Sequence, residues 1–180
     1  MKTLSLVGLL LALVGPVFGE NVSPAMQARI DIRVMEIKAW AADPVIVQAV
    51  AAHNLKPPAD HVALTDAAWK ALPATSPLVL SFTQNPAGVF LKSKQAVWAS
   101  EAFVSDAKGT KVAFLAKPTH WTHAGNPKHD EPMAGKVWQG KIELDQSSGQ
   151  NQIQVAVPVL DAAQKPIGSL VVGIAVEQGE

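Results

Sequence analysis

The loop from Thr119 to Glu131 holds the densest set of side chains able to do chemistry: His120, Trp121, His123, His129, Asp130 and Glu131, with Lys117 just before it. Three readings of this set stand open. As a small-molecule pocket, Trp121 with Trp98 and Phe103 would exclude water, while Lys117, His120 and Asp130 would orient a polar ligand. Loops held by a rigid scaffold are the usual place for such a site. As a metal site, His120, His123 and His129 with Asp130 or Glu131 would suit zinc, copper or nickel. The His-x2-His-x5-His-Asp-Glu spacing matches no strong metal template. As a plain solvated loop, the histidines would point outward and Trp121 would pack as structure.

Catalytic signatures are missing. The chain has no Gly-x-Ser-x-Gly elbow, no P-loop, no Gly-x-Gly-x-x-Gly and no His-Glu-x-x-His. It has no cysteine, which removes thiol catalysis and thiolate metal sites. Asp106, Asp145 and Asp161 read as turn acceptors, and Trp40, Trp69 and Trp138 as packing residues. The sequence therefore points to a binding protein, with no enzymatic activity and no cofactor.

The elements that must position the loop are legible upstream. Four times a capping residue precedes proline: Ser23-Pro24, Asp43-Pro44, Ser76-Pro77 and Asn85-Pro86. The side-chain oxygen satisfies a free N–H, and proline at the first helical position loses no hydrogen bond. After Ser23, apolar residues at Met26, Ile30, Val34, Ile37 and Ala41 form one stripe of a long amphipathic helix. A second helix runs from Pro44 to about His53. Leu55–Asp60, with Pro57-Pro58, reads as a loop. Thr65-Asp66 caps a short helix bearing Trp69, and Pro77–Phe82 and Pro86–Lys92 read as further short helices.

The period then changes. Ala102–Val104 and Val112–Leu115 are β-rich runs around Asp106-Ala107-Lys108-Gly109, where glycine supplies the positive φ of a tight turn. Thr119–Pro132 follows as a long polar loop. A third strand falls within Val137–Leu144, then comes a turn at Asp145–Gly149. Gln152–Val159 alternates cleanly. Ile167–Val176 is nearly all apolar, which places it at the centre of the sheet. The fold class expected is α+β: a five-stranded antiparallel sheet with a long N-terminal helix and short helices packed on one face.

The ends set an address. Lys2 followed by the apolar run Leu4–Phe18 reads as a secretory signal peptide over residues 1–19, with cleavage before Glu20. The mature part, 20–180, is expected to be one domain. Removing Lys2 leaves 14 basic against 15 acidic side chains, so no polyanion or nucleic-acid partner is indicated. An exported chain without cysteine must rely on its core, and a bacterial periplasm fits this best.

Phe103-Val104-Ser105-Asp106-Ala107-Lys108-Gly109 followed by Val112-Ala113 resembles the first hairpin of the Cache family, the extracytoplasmic PAS-like sensor domains of bacterial chemoreceptors and histidine kinases. Pro118-Thr119-His120-Trp121, ending in Asp130-Glu131, resembles that family's pocket loop, which often reads Thr-x-Asp-Tyr and then Gly-Asp-Glu. Asp145-Gln146-Ser147-Ser148 resembles its Asp-Glu-Ser turn, and Val155–Asp161 with Ile167-Gly168 its closing strands. The resemblance spans roughly Ser23–Val176. His120-Trp121 depart from the common Asp-Tyr, and the loop to Asp130 is longer, so the family's ligand identities do not carry over. The resemblance implies a freestanding PAS-like sensor domain with no output domain of its own. Such a domain would bind a small polar metabolite and signal through a membrane sensor or receptor. Related domains often dimerise along the leading helix, which would make a homodimer here. The other readings are a structural or protein-interaction module without a ligand, and the metal-binding loop.

Overall fold

The computed structural model describes residues 22–144 and 151–176. The proposed signal segment and the Asp145–Gly149 turn lie outside the described residues. Capping side chains set the helix starts as the sequence indicates. Ser23 accepts from the Met26 N–H at 3.2 Å to open α1 (Pro24–Ala41), and Asp43 accepts from Val45 N–H at 2.9 Å to open α2 (Pro44–Leu55). A short α3 (Ala59–Val62) lies where a loop was expected. Thr65, Ser76 and Asn85 cap α4 (Asp66–Ala71), α5 (Pro77–Gln84) and α6 (Pro86–Lys94).

Five strands follow: β1 (Ala99–Asp106), β2 (Lys111–Phe114), β3 (Trp138–Leu144), β4 (Asn151–Leu160) and β5 (Pro166–Ala175). They form one antiparallel sheet in the order β2-β1-β5-β4-β3. The apolar β5 is thus the central strand, paired on both edges. Buried between neighbours on both sides, it has no edge to protect and no solvated face to make polar.

Alternation along the strands divides the core in two. Ala102, Val104, Val155, Val157, Leu170 and Val172 face α1, α2 and α6, where Ile30, Ile37, Ile46, Val50 and Leu91 are at most 1% exposed. Phe103, Phe114, Ala156 and Val171 point the other way, into an aromatic cluster with Trp69, Phe82 and Trp121. Helices therefore cover both faces of the sheet, where the sequence reading placed them on one. The second layer is built by α4, α5 and a seventh helix, α7 (Pro127–Met133), inside the segment read as loop. The signal for α7 is the same as for four others: Asn126 precedes Pro127 and accepts from Lys128 N–H at 3.2 Å. A Pro inside it, Pro132, ends it early.

Candidate functional site

The second face of the sheet carries polar side chains that strand alternation forces inward. Ser105 of β1 is paired with Ser169 of β5 and with Lys111 of β2, and all three are at most 1% exposed. Lys111 reaches across this face. Its Nζ donates to His123 Nδ1 at 2.5 Å, lies 3.3 Å from Ser105 Oγ and sits 4.7 Å above the Phe103 ring. No carboxylate lies within ion-pair distance among the described residues. Burial, with Lys128 nearby, brings the Lys111 pKa down from 10.5 to about 7. Burial, reinforced by Lys111, holds His123 far below the usual imidazole range. His123 is therefore neutral and accepts through Nδ1.

The lid over this face is the segment that begins the 119–133 connection. His123 stacks on Phe103 with ring centroids 4.9 Å apart. The His123 N–H donates to Gly109 O at 3.0 Å, and Thr110 bridges to Thr122, so the lid is tied to the hairpin turn. Gly109 has φ +79°, and a Cβ there would lie 2.6 Å from Ala124 N. Glycine is needed at this turn both for its φ and for the close approach of the lid. Asp106 shapes the same turn, accepting from Lys108 N–H, Thr110 N–H and the Thr110 hydroxyl at 2.8–2.9 Å. Its other contact, missed in the sequence, is His53 of α2 at 2.9 Å, which meets His61 Nδ1 at 3.0 Å.

From α7, His129 Nδ1 meets Ser169 Oγ at 2.8 Å, and Lys128 Nζ donates to Gln154 Oε1 at 2.5 Å. Gln154 in turn donates to Glu101 Oε2 at 2.7 Å. Two polar runs thus lie on one face: Lys111, His123, Ser105, Ser169 and His129 at one end, Lys128, Gln154 and Glu101 at the other. Phe103, Ala156 and Val171 lie on the same face. The arrangement is suited to binding a polar molecule. No nucleophile paired with a base and an orienting acid is present in it.

The residues singled out in the sequence take different places. Phe103 and Trp121 belong to this face, at 1% and 3% exposure. Trp98 lies on the α1 side, stacked on Trp40 at 5.4 Å with the Arg33 guanidinium 4.5 Å above it. Lys117 donates to Trp69 O and Leu72 O at 2.7 and 2.8 Å, satisfying the last carbonyls of α4. His120 is exposed and 4.0 Å from Asp66, a surface pair worth little. Asp130 is exposed and accepts from Gly125 N–H at 3.2 Å. The three loop histidines diverge: His123 to Lys111, His129 to Ser169, His120 to solvent. Among the described residues no group of three or more His, Asp or Glu side chains is placed to hold a metal ion. Lys111, Ser105 and Ser169 were missed. A serine in the apolar run of β5 and a lysine opening β2 were the available signals, since each must face something inside a sheet.

No helix among the described residues is long and apolar enough to cross a membrane. No family model and no curated protein matches the chain. Among solved structures it is similar to the sensor domain of the V. cholerae histidine kinase DctB, at 19% identity over 83% of this chain and 50% of that one, TM-score 0.49. It is similar to the ligand-binding domain of the Pseudomonas aeruginosa PAO1 amino acid chemoreceptor PctC in complex with GABA, at 12% identity, 85% and 56% coverage and TM-score 0.49. The E. coli DcuS sensor domain aligns at 11% identity, 83% and 90% coverage and TM-score 0.48. The chain spans about half the length of the first two. These values are a likeness to extracytoplasmic sensor domains and no more, while the sheet and its helices make the described residues an α+β domain.

Proposed function

We propose that this chain is a ligand-binding sensory domain, exported to the periplasm, that takes a small anionic metabolite between the second face of its sheet and the 119–126 lid. The observation that carries the reading is Lys111: an amine at 0% exposure whose hydrogen-bond partners, Ser105 and His123, are neutral. A buried ammonium without a counter-charge is costly. An entering carboxylate supplies that charge, raises the Lys111 pKa and is held by the hydroxyls of Ser105 and Ser169. Phe103 and Trp121 form the apolar walls. Entry requires the lid to lift from Gly109, so the ligand selects between lid positions through contacts that differ between them. A membrane sensor or receptor would read the lid position, and a pair of chains joined along α1 is the arrangement in which it would do so.

A second reading is favoured by a specific feature. Trp69, Phe82, Phe103, Phe114 and Trp121 fill this face with the chain's own rings, each at most 3% exposed. A face so filled suits a structural or interaction module that keeps the fold and takes no ligand. A melting-temperature screen of amino acids, small carboxylates, amines and divalent cations separates the two. The sensory reading expects stabilisation by an anionic class that Trp121→Ala abolishes. The module reading expects no stabilisation by any class.

A further inference from the structure

A cleft of about 670 Å³ opens away from the Lys111 face, between the α1–α2 corner and the β4–β5 turn. None of its lining residues belongs to the Lys111 cluster. Val47 of α2, Val137 before β3, and Pro158 and Leu160 of β4 make it apolar. Its size lies within the range of small-molecule sites.

Two side chains give the cleft a polar end. Lys38, in the last turn of α1, is exposed, and no hydrogen bond or ion pair occupies its ammonium among the described residues. Gln164 reaches the cleft from the β4–β5 turn at φ +61°, the one non-glycine residue with positive φ among those described. Glycine or asparagine would hold that turn at lower cost. Asp161, the acidic residue of the lining, is engaged in its own turn: its Oδ1 accepts from Ala163 and Lys165 N–H at 2.9 Å. Asp161 keeps its charge but is oriented into its own turn, so Lys38 is the cation of the lining left to meet a ligand.

We propose that this cleft is a second binding site, for a soluble amphiphilic carboxylate with a medium-length acyl or aryl body. The carboxylate pairs with Lys38 and accepts from the Gln164 amide. The body lies on Val47, Val137, Pro158 and Leu160. A neutral or cationic molecule of the same body would gain only the apolar contact.

Octanoate titrated into the full chain, followed by amide ¹H–¹⁵N shifts, tests this, with octanol and octylamine as comparators. Saturable shifts are expected at Val47, Val137, Leu160 and Gln164, with octanoate at least tenfold tighter than octylamine. Lys38→Glu should weaken octanoate at least tenfold and leave octanol unchanged. Gln48→Trp, at an exposed α2 position lining the cleft, should abolish both. Shifts that never saturate, shifts centred on Lys111, or octanoate binding unaltered by Lys38→Glu would overturn the proposal. So would cleft shifts that follow protein concentration without octanoate, since the cleft would then be a self-association surface.

Discussion

Lys111 Nζ and His123 Nδ1 lie 2.5 Å apart beneath the lid, too close for both to carry a charge without strong repulsion. The amine's pKa falls from 10.5 to about 7 because the fold strips it of water. In the unfolded chain the same amine keeps its proton up to about 10.5. Between these values the unfolded state binds more protons, so stability rises with pH. Chemical denaturation of the ligand-free chain from pH 7 to pH 10 should show a progressive gain of at most about 4 kcal/mol. A flat or falling profile would contradict the buried, uncompensated amine.

Acid works through the histidines. Burial is the leading cause that lowers the pKa values of His61, His123 and His129 below 6.5. His61 also faces His53, which lowers it further, while Asp60 and Asp106 oppose. The unfolded chain takes these protons first as pH falls through 6.5, so the native state loses stability there. The denaturation midpoint should drop between pH 7 and pH 5, and His129→Gln should reduce the slope. An unchanged midpoint across that range would show that these rings are not held neutral.

Trp69 is the keystone of the second core. It is fully buried, contacts Phe82, Phe114 and Trp121, and donates through Nε1 to Pro118 O at 2.7 Å. Trp69→Ala should cost about 3–5 kcal/mol. Trp69→Phe, which keeps much of the packing and leaves the Pro118 carbonyl unpaired, should cost about 1–3 kcal/mol. Urea denaturation of both variants checks the ranking.

Two glycines near the lid separate conformation from contact. Gly109 and Gly125 both have positive φ, +79° and +76°, but only Gly109 has atoms within reach of a new Cβ, the closest at 2.6 Å. Gly125→Ala should cost about 1 kcal/mol from backbone strain alone. Gly109→Ala should cost more and displace the His123 amide, seen as loss of its hydrogen-exchange protection. Equal costs would mean that the lid does not rest on the turn.

Much of the scaffold is legible in the sequence. Capping residue followed by proline marks a helix start through local chemistry, so α1, α2, α5 and α6 begin where expected. The unbroken apolar run of β5 announced a strand paired on both sides. Asn126-Pro127 carried the same mark, but the polar, histidine-rich surroundings hid it. The site was less legible, because its members are brought together by register across strands. Ser105 and Lys111 face each other across one hairpin, but Ser169 lies far along the chain and joins them only through β1–β5 pairing. Trp98 is half-buried on the α1 side, the side that Ala102 and Val104 also face, and so points away from Phe103 and the lid. Lys117, expected among the ligand groups, donates to the carbonyls at the end of α4, a contact that its sequence neighbours do not announce.

If Lys111 awaits an anion, removing its amine must remove the response to one. Melting temperatures of the wild-type chain and of Lys111→Met, measured side by side with amino acids and small carboxylates, test it most directly. Lys111→Met should melt higher than wild type at pH 7 without ligand, because a desolvated amine has been removed. A carboxylate should stabilise wild type by about 2.7 kcal/mol at a hundredfold excess over its Kd, and Lys111→Met should lose this response. A wild-type chain indifferent to every carboxylate, or a Lys111→Met variant that keeps the full response, would contradict it.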